Sequence, residues 1–526
     1  MPTPSSSTSS APTQSESLST YTRPHDSDSA DNHRANSNSN YDGSTNCNGS
    51  PMECKRPKYH NAHSHSSRQV HLTDEITPRE MVLSIIQAQY HIYHTDLSGY
   101  LAGGAMVQDA LTKYALGGSP KDLFQAYRRF RPDKERIPPV PTIIITTSNW
   151  RDWLGHKSYY HDYLDFFDQE LRQLEAKTLK ETTVSSPSLS CSWSSTPSTP
   201  LAASMAHIVS EYMTPLIPGL CGATGPLIHL GYGIEFGSRL ATAEGLAYAC
   251  VSYQPATTCF ISSTEGVSSW QGQQGSSSNG LKRSPTVSIL NMIRNDKRLD
   301  GMFDAGFQAK LNVVMSSRVS LLKSYLGMWV NQIHSVSEAL LDLSQTSSLL
   351  LFTATNRFGD EQQLDKKLAN IMLATHAARF LVKVLPSEQE QEQLLMAIWM
   401  SLVATYVVQG RPRLMSRAAS THPIMTETSP VECHHASSME EQHDGTRRSC
   451  MATSYFDSVI PNVPQGRWRG LAMEAVHAEH QLISKIIRSL WWAEQEHGEC
   501  SGIFFGTAVR ALGEDPTSDE STGPGF

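Results

Sequence analysis

A glycine-spaced apolar run with one histidine at its centre is the stretch of the sequence best suited to carry chemistry. It extends from Gly219 to Phe236 and surrounds His229 with aliphatic, aromatic and glycine residues. Two interpretations are open: a phosphate-binding nucleotide loop, or a tightly packed helix that brings a single imidazole into the interior. The choice between them decides what kind of protein this is.

The nucleotide-loop interpretation fits these residues poorly. The dinucleotide-binding fingerprint needs G-x-G-x-x-G at the start of a helix that directly follows a strand. Here Gly231 and Gly233 are followed by Phe236 in place of the third glycine, and no alternation of strand and helix patterns surrounds them. Pro226 also fits the first turn of a helix better than the interior of a strand. We therefore expect no dinucleotide-binding Rossmann fold here.

The packed-helix interpretation gives the histidine a defined place. If a helix begins at Pro226, one of its faces carries His229, Tyr232, Gly233 and Phe236. Because glycine has no Cβ, another helix or a ligand can approach the backbone closely at this face. His229 then points inward, and spacing alone leaves open whether it is functional or a hydrogen-bonded core residue.

Two further histidines fall on apolar helical stripes. His376 is in register with Leu373, Ala377, Phe380 and Val384, so we expect it to face the core.

His480 is in register with Val476, Ile483 and Ile487, so we expect it to face the core as well. Buried imidazoles need partners for their nitrogens. His229, His376 and His480 therefore suggest a metal site built from separate helices, as in helix-bundle metalloproteins. The alternative, three unconnected core histidines, stays open.

Glu244 is the acidic residue of an otherwise small and apolar helical segment, residues 241–248. If it is buried, it is a candidate catalytic base or ligand alongside His229. The alternative is a solvated or capping glutamate.

The apolar periodicity predicts a mainly α fold, a single large multi-helical domain. Strand signals are confined to residues 141–147, which form a short extended piece. Apolar residues recur every three or four positions in the other ordered segments, namely residues 79–93, 102–116, 120–130, 159–174, 203–217, 238–251, 311–343, 363–385, 388–408 and 470–496.

Polar, aperiodic segments mark the limits of this domain. Residues 1–74 are rich in Ser, Asn, Thr, Asp and His and have almost no aliphatic residues, so we expect a disordered tail. The domain is expected over residues 75–515, with a second disordered tail at 516–526. Ser-rich inserts near 182–200, 262–285 and 416–454 are expected to be surface loops, since loop-closure entropy grows slowly with length.

Composition narrows the classes of partner. The 526 residues are 39% hydrophobic and 18% charged with a formal net charge of -8, which is typical of a soluble globular protein and argues against nucleic acid as a partner. The longest apolar run, residues 394–408, is too short to span a bilayer. The amino terminus lacks the features of a signal peptide, and the nine cysteines include no Cys-x-x-Cys pair. We expect a cytoplasmic protein without a membrane partner.

Several of these residues resemble a known family. The run Pro226-Leu-Ile-His229-Leu-Gly-Tyr-Gly-Ile-Glu-Phe236, followed by Ala243-Glu244-Gly-Leu-Ala, is similar to the signature of the questin oxidase-like family of fungal and bacterial oxidoreductases. The resemblance covers roughly residues 80–512 without the inserts. Its other parts are Tyr114-Ala-Leu-Gly117, Trp153-Leu-Gly155, Tyr163-Leu-Asp-Phe-Phe167, Thr375-His376-Ala-Ala-Arg379 and Ile483-Ser-Lys-Ile-Ile-Arg488.

The resemblance implies an activity. Family members carry out oxygen-dependent ring-opening or Baeyer-Villiger-like oxidation of aromatic polyketides such as anthraquinones, in secondary metabolism. It implies molecular oxygen as a substrate, NADPH as the electron donor, no flavin domain, and a histidine-based non-heme iron site.

The chain departs from the family pattern at its histidines. Relatives usually have a histidine-rich run before the Tyr-Ala-Leu-Gly segment, whereas residues 100–109 contain none, and Gly225 stands where relatives often have a histidine. Of the family's histidines, only His229 and His376 carry over. If the family histidines bind metal, this chain binds it poorly, has lost activity, or uses other histidines, namely His91, His94 or His161.

Two functions follow from the sequence. The first is an oxidoreductase that holds a flat aromatic polyketide in a helical pocket and activates oxygen near His229. The second is a catalytically impaired binding or scaffold protein of the same family.

Overall fold

Apolar residues three and four positions apart produce a helical fold. The computed structural model describes residues 76–92, 105–130, 143–184, 200–262, 284–301, 306–354, 365–414, 463–499 and 502–513. These ranges contain seventeen α-helices and no β-strand, which confirms the mainly α prediction.

The helices are numbered in chain order. The first six are α1 (Pro78–Ile92), α2 (Ala105–Ala115), α3 (Pro120–Phe130), α4 (Tyr160–Val184), α5 (Pro200–Met213) and α6 (Thr224–Glu235). The next six are α7 (Arg239–Ser252), α8 (Cys259–Ser262), α9 (Pro285–Asn295), α10 (Phe307–Ser317), α11 (Val319–Val330) and α12 (Val336–Ala354). The last five are α13 (Lys366–Val384), α14 (Glu388–Val408), α15 (Trp468–His477), α16 (Gln481–His497) and α17 (Ile503–Leu512).

The segment predicted as one long helix at 311–343 is three helices, α10 to α12. The break before α12 is held by reciprocal caps. The backbone N–H of His334 donates to Glu338 Oε2 at 2.9 Å, and the backbone N–H of Glu338 donates to Ser335 Oγ at 3.1 Å. Serine followed three residues later by glutamate is a helix-start signal, so this break was visible in the sequence.

The segment predicted as one helix at 470–496 is also divided, into α15 and α16. Arg129 Nη1 donates to the carbonyl oxygens of Ala478 and Glu479, each at 2.9 Å, and so satisfies backbone acceptors in the break. His480 caps α16: its Nδ1 accepts the backbone N–H of Leu482 at 3.3 Å. The prediction that His480 faces the core is therefore wrong, because the helical register does not continue through the break, and its side chain is exposed.

The predicted extended piece at 141–147 is not a strand where the structure describes it, from residue 143. The backbone N–H of Ile143 donates to Asp162 Oδ1 at 2.9 Å, and the backbone N–H of Thr146 donates to Asn149 Oδ1 at 2.7 Å. Side-chain acceptors close to these residues thus replace the ladder that a strand would need.

Helix α6 contributes side chains to two hydrophobic clusters. Leu227 and Leu230 belong to the cluster that contains much of α4, α5, α7 and α14. Ile228 and Tyr232 belong to the cluster formed with α1, α2, α16 and α17. A helix that is apolar on both sides and packed on both sides is fully buried. The packed-helix interpretation of the glycine-rich run is confirmed.

Glycines allow α6 and α7 to pack backbone against backbone. A Cβ on Gly233 would lie 2.7 Å from the backbone nitrogen of Thr242, and a Cβ on Gly245 would lie 2.7 Å from Cα of Leu230. Neither contact leaves room for a methyl group. The two helices therefore cross at a distance that only glycine permits.

Several predicted boundaries lie outside the described residues. These are the tails at 1–74 and 516–526, the insert at 416–454, and most of the inserts at 182–200 and 262–285. At their edges, α4 continues to Val184, α5 begins at Pro200, and α9 begins at Pro285.

Helix α14 is, among the described residues, the one helix long and apolar enough to cross a membrane by length and composition. Within the protein, 89% of its apolar window is buried. Its position is that of a core helix.

Candidate active site

A buried pair, His229 and Glu244, joins α6 to α7. His229 Nε2 lies 2.9 Å from Glu244 Oε2, and the side chains are 0% and 2% exposed. The turn between the helices explains the pairing. Gly237 has φ +58°, a left-handed conformation that favours glycine, and Ser238 caps α7 by accepting the backbone N–H of Ala241 at 3.3 Å. The chain thus reverses about midway between His229 and Glu244.

The other nitrogen of His229 faces α2. Gln108 Nε2 lies 3.4 Å from His229 Nδ1, and Lys485 Nζ of α16 donates to Gln108 Oε1 at 3.2 Å. All of these side chains are buried. Four helices therefore bring a lysine, an amide, an imidazole and a carboxylate into one continuous series of hydrogen-bond contacts.

Polar contacts continue along α6 one turn after His229. Tyr232 OH lies 2.8 Å from Thr112 Oγ1, and burial raises the pKa of Tyr232 to about 12. The phenol is therefore un-ionised near neutral pH.

Asp109 and Lys113 lie beside these contacts on α2. Asp109 Oδ1 accepts from Ser484 Oγ at 3.0 Å, and Lys113 Nζ lies 3.9 Å from Asp109 Oδ2. Burial raises the pKa of Asp109 and lowers that of Lys113. Burial therefore favours the uncharged form of both Asp109 and Lys113.

A second buried cluster lies two turns after His229. Arg488 donates to both carboxylate oxygens of Glu235, with Nη1 3.0 Å from Oε2. His376 Nε2 lies 3.5 Å from the same Oε2, and its Nδ1 has no hydrogen-bond partner among the described residues. Arg488 also lies over the Phe236 ring, 4.9 Å from its centroid.

The electrostatics of this cluster favour a carboxylate and a neutral imidazole. Burial alone would raise the pKa of Glu235, but the charge of Arg488 and hydrogen bonds from His376 and Arg488 lower it to about 2. Burial lowers the pKa of His376 to about 4, against the opposing effect of Glu235. His376 is therefore an uncharged neighbour of the Glu235–Arg488 ion pair.

Together these residues form what we call the polar seam. It contains three acidic and three basic side chains, so its formal charge balances when the histidines are neutral. Buried charges persist only when paired, and here each has a partner of opposite charge or a hydrogen-bonding side chain. Its members are Gln108, Asp109, Thr112, Lys113, His229, Tyr232, Glu235, Glu244, His376, Ser484, Lys485 and Arg488.

The three histidines predicted to share a metal do not share a site. His229 has both nitrogens engaged, His376 belongs to the Glu235 cluster, and His480 is an exposed helix cap. In the part of the chain that the structure describes, no three His, Cys, Asp or Glu side chains are grouped so as to hold a metal ion. The predicted triad does not fit non-heme iron.

The alternative histidines do not supply a replacement set. His161 is half-buried at the start of α4, edge-on to Tyr160. The side chain of His91 and all of His94 lie outside the described residues.

Sequence reasoning missed Gln108, Lys485, Arg488 and Glu235. One signal was available: Lys485 and Arg488 stand three residues apart within an apolar helix, an unusual place for two cations. Glu235 follows Tyr232 at the same spacing. Gln108 gave no comparable signal, because an uncharged amide is unremarkable on any helix.

The chain belongs to the questin oxidase-like family. The family model matches residues 105–490, well over half of the chain and all of the polar seam. The similarity therefore includes every residue of the His229 site.

Individual relatives are more distant. A Baeyer-Villiger oxidase of Pestalotiopsis microspora, GME11358, is 26% identical over 221 residues, which cover 41% of this chain and 43% of the relative. The Baeyer-Villiger oxidase mdpL of Emericella nidulans is 27% identical over 236 residues, 44% of this chain and 45% of the relative. A questin oxidase of Aspergillus terreus is 25% identical over 163 residues, 30% and 31%. Each alignment spans less than half of the relative's length.

Proposed function

We propose that this protein is an oxidoreductase that inserts one oxygen atom into an aromatic polyketide ketone of the anthraquinone type, in a Baeyer-Villiger-like, ring-opening reaction of secondary metabolism. Family membership and relatives named Baeyer-Villiger oxidase and questin oxidase support the class of reaction. The single observation that carries the site assignment is the buried His229–Glu244 pair within the family-matched region.

The proposed reaction needs a reductant as well as oxygen. A carbon–carbon bond next to the carbonyl breaks, and one atom of O₂ enters between the two carbons to give an ester or lactone. The other atom leaves as water, with a hydride from NADPH and one proton. NADPH is the donor that the family resemblance suggests.

His229 and Glu244 would supply proton transfer in this reaction. Hydroxylated anthraquinones carry acidic phenols, and removing a phenolic proton makes the ring system electron-rich toward oxygen. A buried imidazole can take that proton, and a carboxylate at 2.9 Å stabilises the cation that results. General base catalysis of this kind contributes roughly 10²- to 10⁴-fold to rates.

A second candidate is a protein that binds the polyketide without turning it over. One observation favours it: both nitrogens of His229 are engaged by protein groups, so a substrate must displace one of them. Such a protein would keep ligand affinity and lack oxygen consumption.

The experiment is an isotope-labelling assay on the full chain. The protein is incubated with NADPH, ¹⁸O₂ and a panel of hydroxyanthraquinones, and products are analysed by mass spectrometry. We expect one ¹⁸O in a ring-opened or lactone product, with NADPH consumed in equal amount. Binding of the anthraquinone by calorimetry without product would favour the second candidate. Iron analysis of the same sample tests whether metal accompanies activity.

A further inference from the structure

Gln108 lies between Lys485 and His229 and contacts both. Lys485 Nζ donates to Gln108 Oε1 at 3.2 Å, and Gln108 Nε2 lies 3.4 Å from His229 Nδ1. The three residues come from α16, α2 and α6 and are buried. They are separated by more than a hundred positions in the chain, so the fold alone brings them together.

Lys485 determines the orientation of the Gln108 side-chain amide. A charged ammonium group has three donors and no acceptor, so it must face the amide oxygen. The amide NH₂ then faces His229, and an amide nitrogen can only donate. Nδ1 of His229 must therefore accept, which means that it carries no proton.

The proton of a neutral imidazole is then on Nε2. This nitrogen lies 2.9 Å from Glu244 Oε2, and a carboxylate accepts such a proton in a charge-assisted hydrogen bond. The opposite tautomer would place two donors against each other at Gln108 and two acceptors against each other at Glu244. The three hydrogen bonds from Lys485 through Gln108 and His229 to Glu244 therefore all donate in the same direction.

We propose that Lys485 and Gln108 are positioning residues that fix His229 as the Nε2–H tautomer and present the Nδ1 lone pair as the base of the site. This rests on the proposed function. The contact from Gln108 Nε2 to His229 Nδ1, 3.4 Å long, is the one that a substrate hydroxyl would replace.

The proton-transfer step balances without another reactant. The phenolic O–H bond of the substrate breaks and a bond from that proton to Nδ1 forms. The products are a phenolate and an imidazolium, and the imidazolium is paired with the Glu244 carboxylate through Nε2–H. The later steps return the proton to the water that leaves.

The test reads the tautomer directly. ¹⁵N-histidine-labelled full-length protein is examined by NMR, and the His229 signals are identified by their loss in His229→Asn. In the wild type we expect a protonated Nε2 and an unprotonated Nδ1. In Gln108→Glu the new carboxylate accepts from Nδ1, so we expect Nδ1 to become protonated. Lys485→Met removes the donor that orients the amide, so we expect a detectable fraction of the Nδ1–H tautomer, whereas Lys485→Arg should keep the wild-type state.

Kinetics provide the matching readout. Gln108→Glu should lower kcat by ~10²-fold with little change in KM, since the base position is lost and the substrate surface is not. Lys485→Arg should retain most activity, and Lys383→Met, at an exposed position on α13, is the control. Circular dichroism of each variant identifies any that fail to fold, and a protonated Nδ1 in the wild type overturns the proposal even if no variant folds.

The two proposals fail in distinguishable ways. A wild-type His229 with a protonated Nδ1, or a Gln108→Glu variant with an unchanged tautomer, overturns the positioning role even if the protein turns over anthraquinones. A wild-type Nε2–H tautomer that changes in Gln108→Glu, in a protein that forms no oxidised product, supports the positioning role and contradicts the proposed oxidation.

Discussion

Gly231 of α6 lies directly against Ala377 of α13. A Cβ on Gly231 would be 2.4 Å from Cβ of Ala377 and 2.8 Å from its Cα, so no side chain fits between the helices. The contact occurs one residue after His376 on α13 and two residues after His229 on α6. It holds the two histidine-bearing helices in close packing.

The substitution Gly231→Ala should therefore destabilise the protein by about 1 to 3 kcal/mol, the usual cost of overpacking a core. Gly327→Ala is the matched control, because Gly327 lies within α11 and a Cβ there would meet nothing within 4 Å. The control should be neutral or stabilising by about 0.5 to 1 kcal/mol, since alanine favours helix. Urea unfolding compares the two; equal stability of both variants would contradict the packing account.

Removing the carboxylate of Glu235 should leave Arg488 buried without a counter-charge. We expect Glu235→Gln to destabilise by about 3 to 5 kcal/mol, the range for breaking a buried ion pair from one side. Glu211→Gln, at an exposed position on α5, should change stability by about 0.5 kcal/mol or less. A loss in Glu235→Gln no larger than in this control would mean that the pair is not buried as described.

The pH dependence of stability should show two windows. Histidine has an ordinary pKa of 6.5, and burial lowers that of His376 to about 4. Between these two values the unfolded chain binds a proton at His376 that the folded chain does not. The stability associated with neutral His376 is therefore present above pH 6.5 and is lost as the pH falls toward 4. Measured by urea midpoints, His376→Gln should flatten the profile there, whereas His207→Asn, at an exposed position on α5, should not.

The second window belongs to Glu235. Its ordinary pKa is 4.5 and its folded value is about 2, so its stabilisation is present above 4.5 and lost as pH falls through 2. Glu235→Gln should remove the dependence in this lower window. A wild-type profile that is flat between 6.5 and 2 would contradict both assignments.

His480 should be structural. His480→Ala removes the side-chain acceptor at the start of α16, and loss of a helix cap costs about 0.5 to 2 kcal/mol. We expect thermal unfolding at lower temperature, with the proposed oxidation activity unchanged. Loss of metal together with activity in this variant would restore the metal role that the sequence predicted.

The helical fold could be predicted from the sequence, and so could two residues of the candidate site. His229 stood out because imidazole is rare within a glycine-spaced apolar helix, and Glu244 because it was charged in a segment of small residues. Their pairing was also within reach, since both lie at similar distances from the Gly237–Ser238 turn.

The rest of the site could not be derived in this way. Gln108 contacts His229 from 121 positions away and Lys485 contacts Gln108 from 377 positions away, and periodicity carries no information on such contacts. The prediction that His480 faces the core was wrong for a local reason. It assumed one unbroken helix from Val476 to Ile487, whereas hydrogen bonds from Arg129 and the His480 cap stabilise a break between α15 and α16.

The most direct test of the central claim compares His229→Asn with His207→Asn in the ¹⁸O₂ assay at equal folded concentrations. His229 is fully buried against Glu244, and His207 is exposed on α5. We predict that His229→Asn lowers product formation by at least ~10²-fold and that His207→Asn retains wild-type activity. Wild-type rates of oxygen insertion in a folded His229→Asn variant would contradict the account.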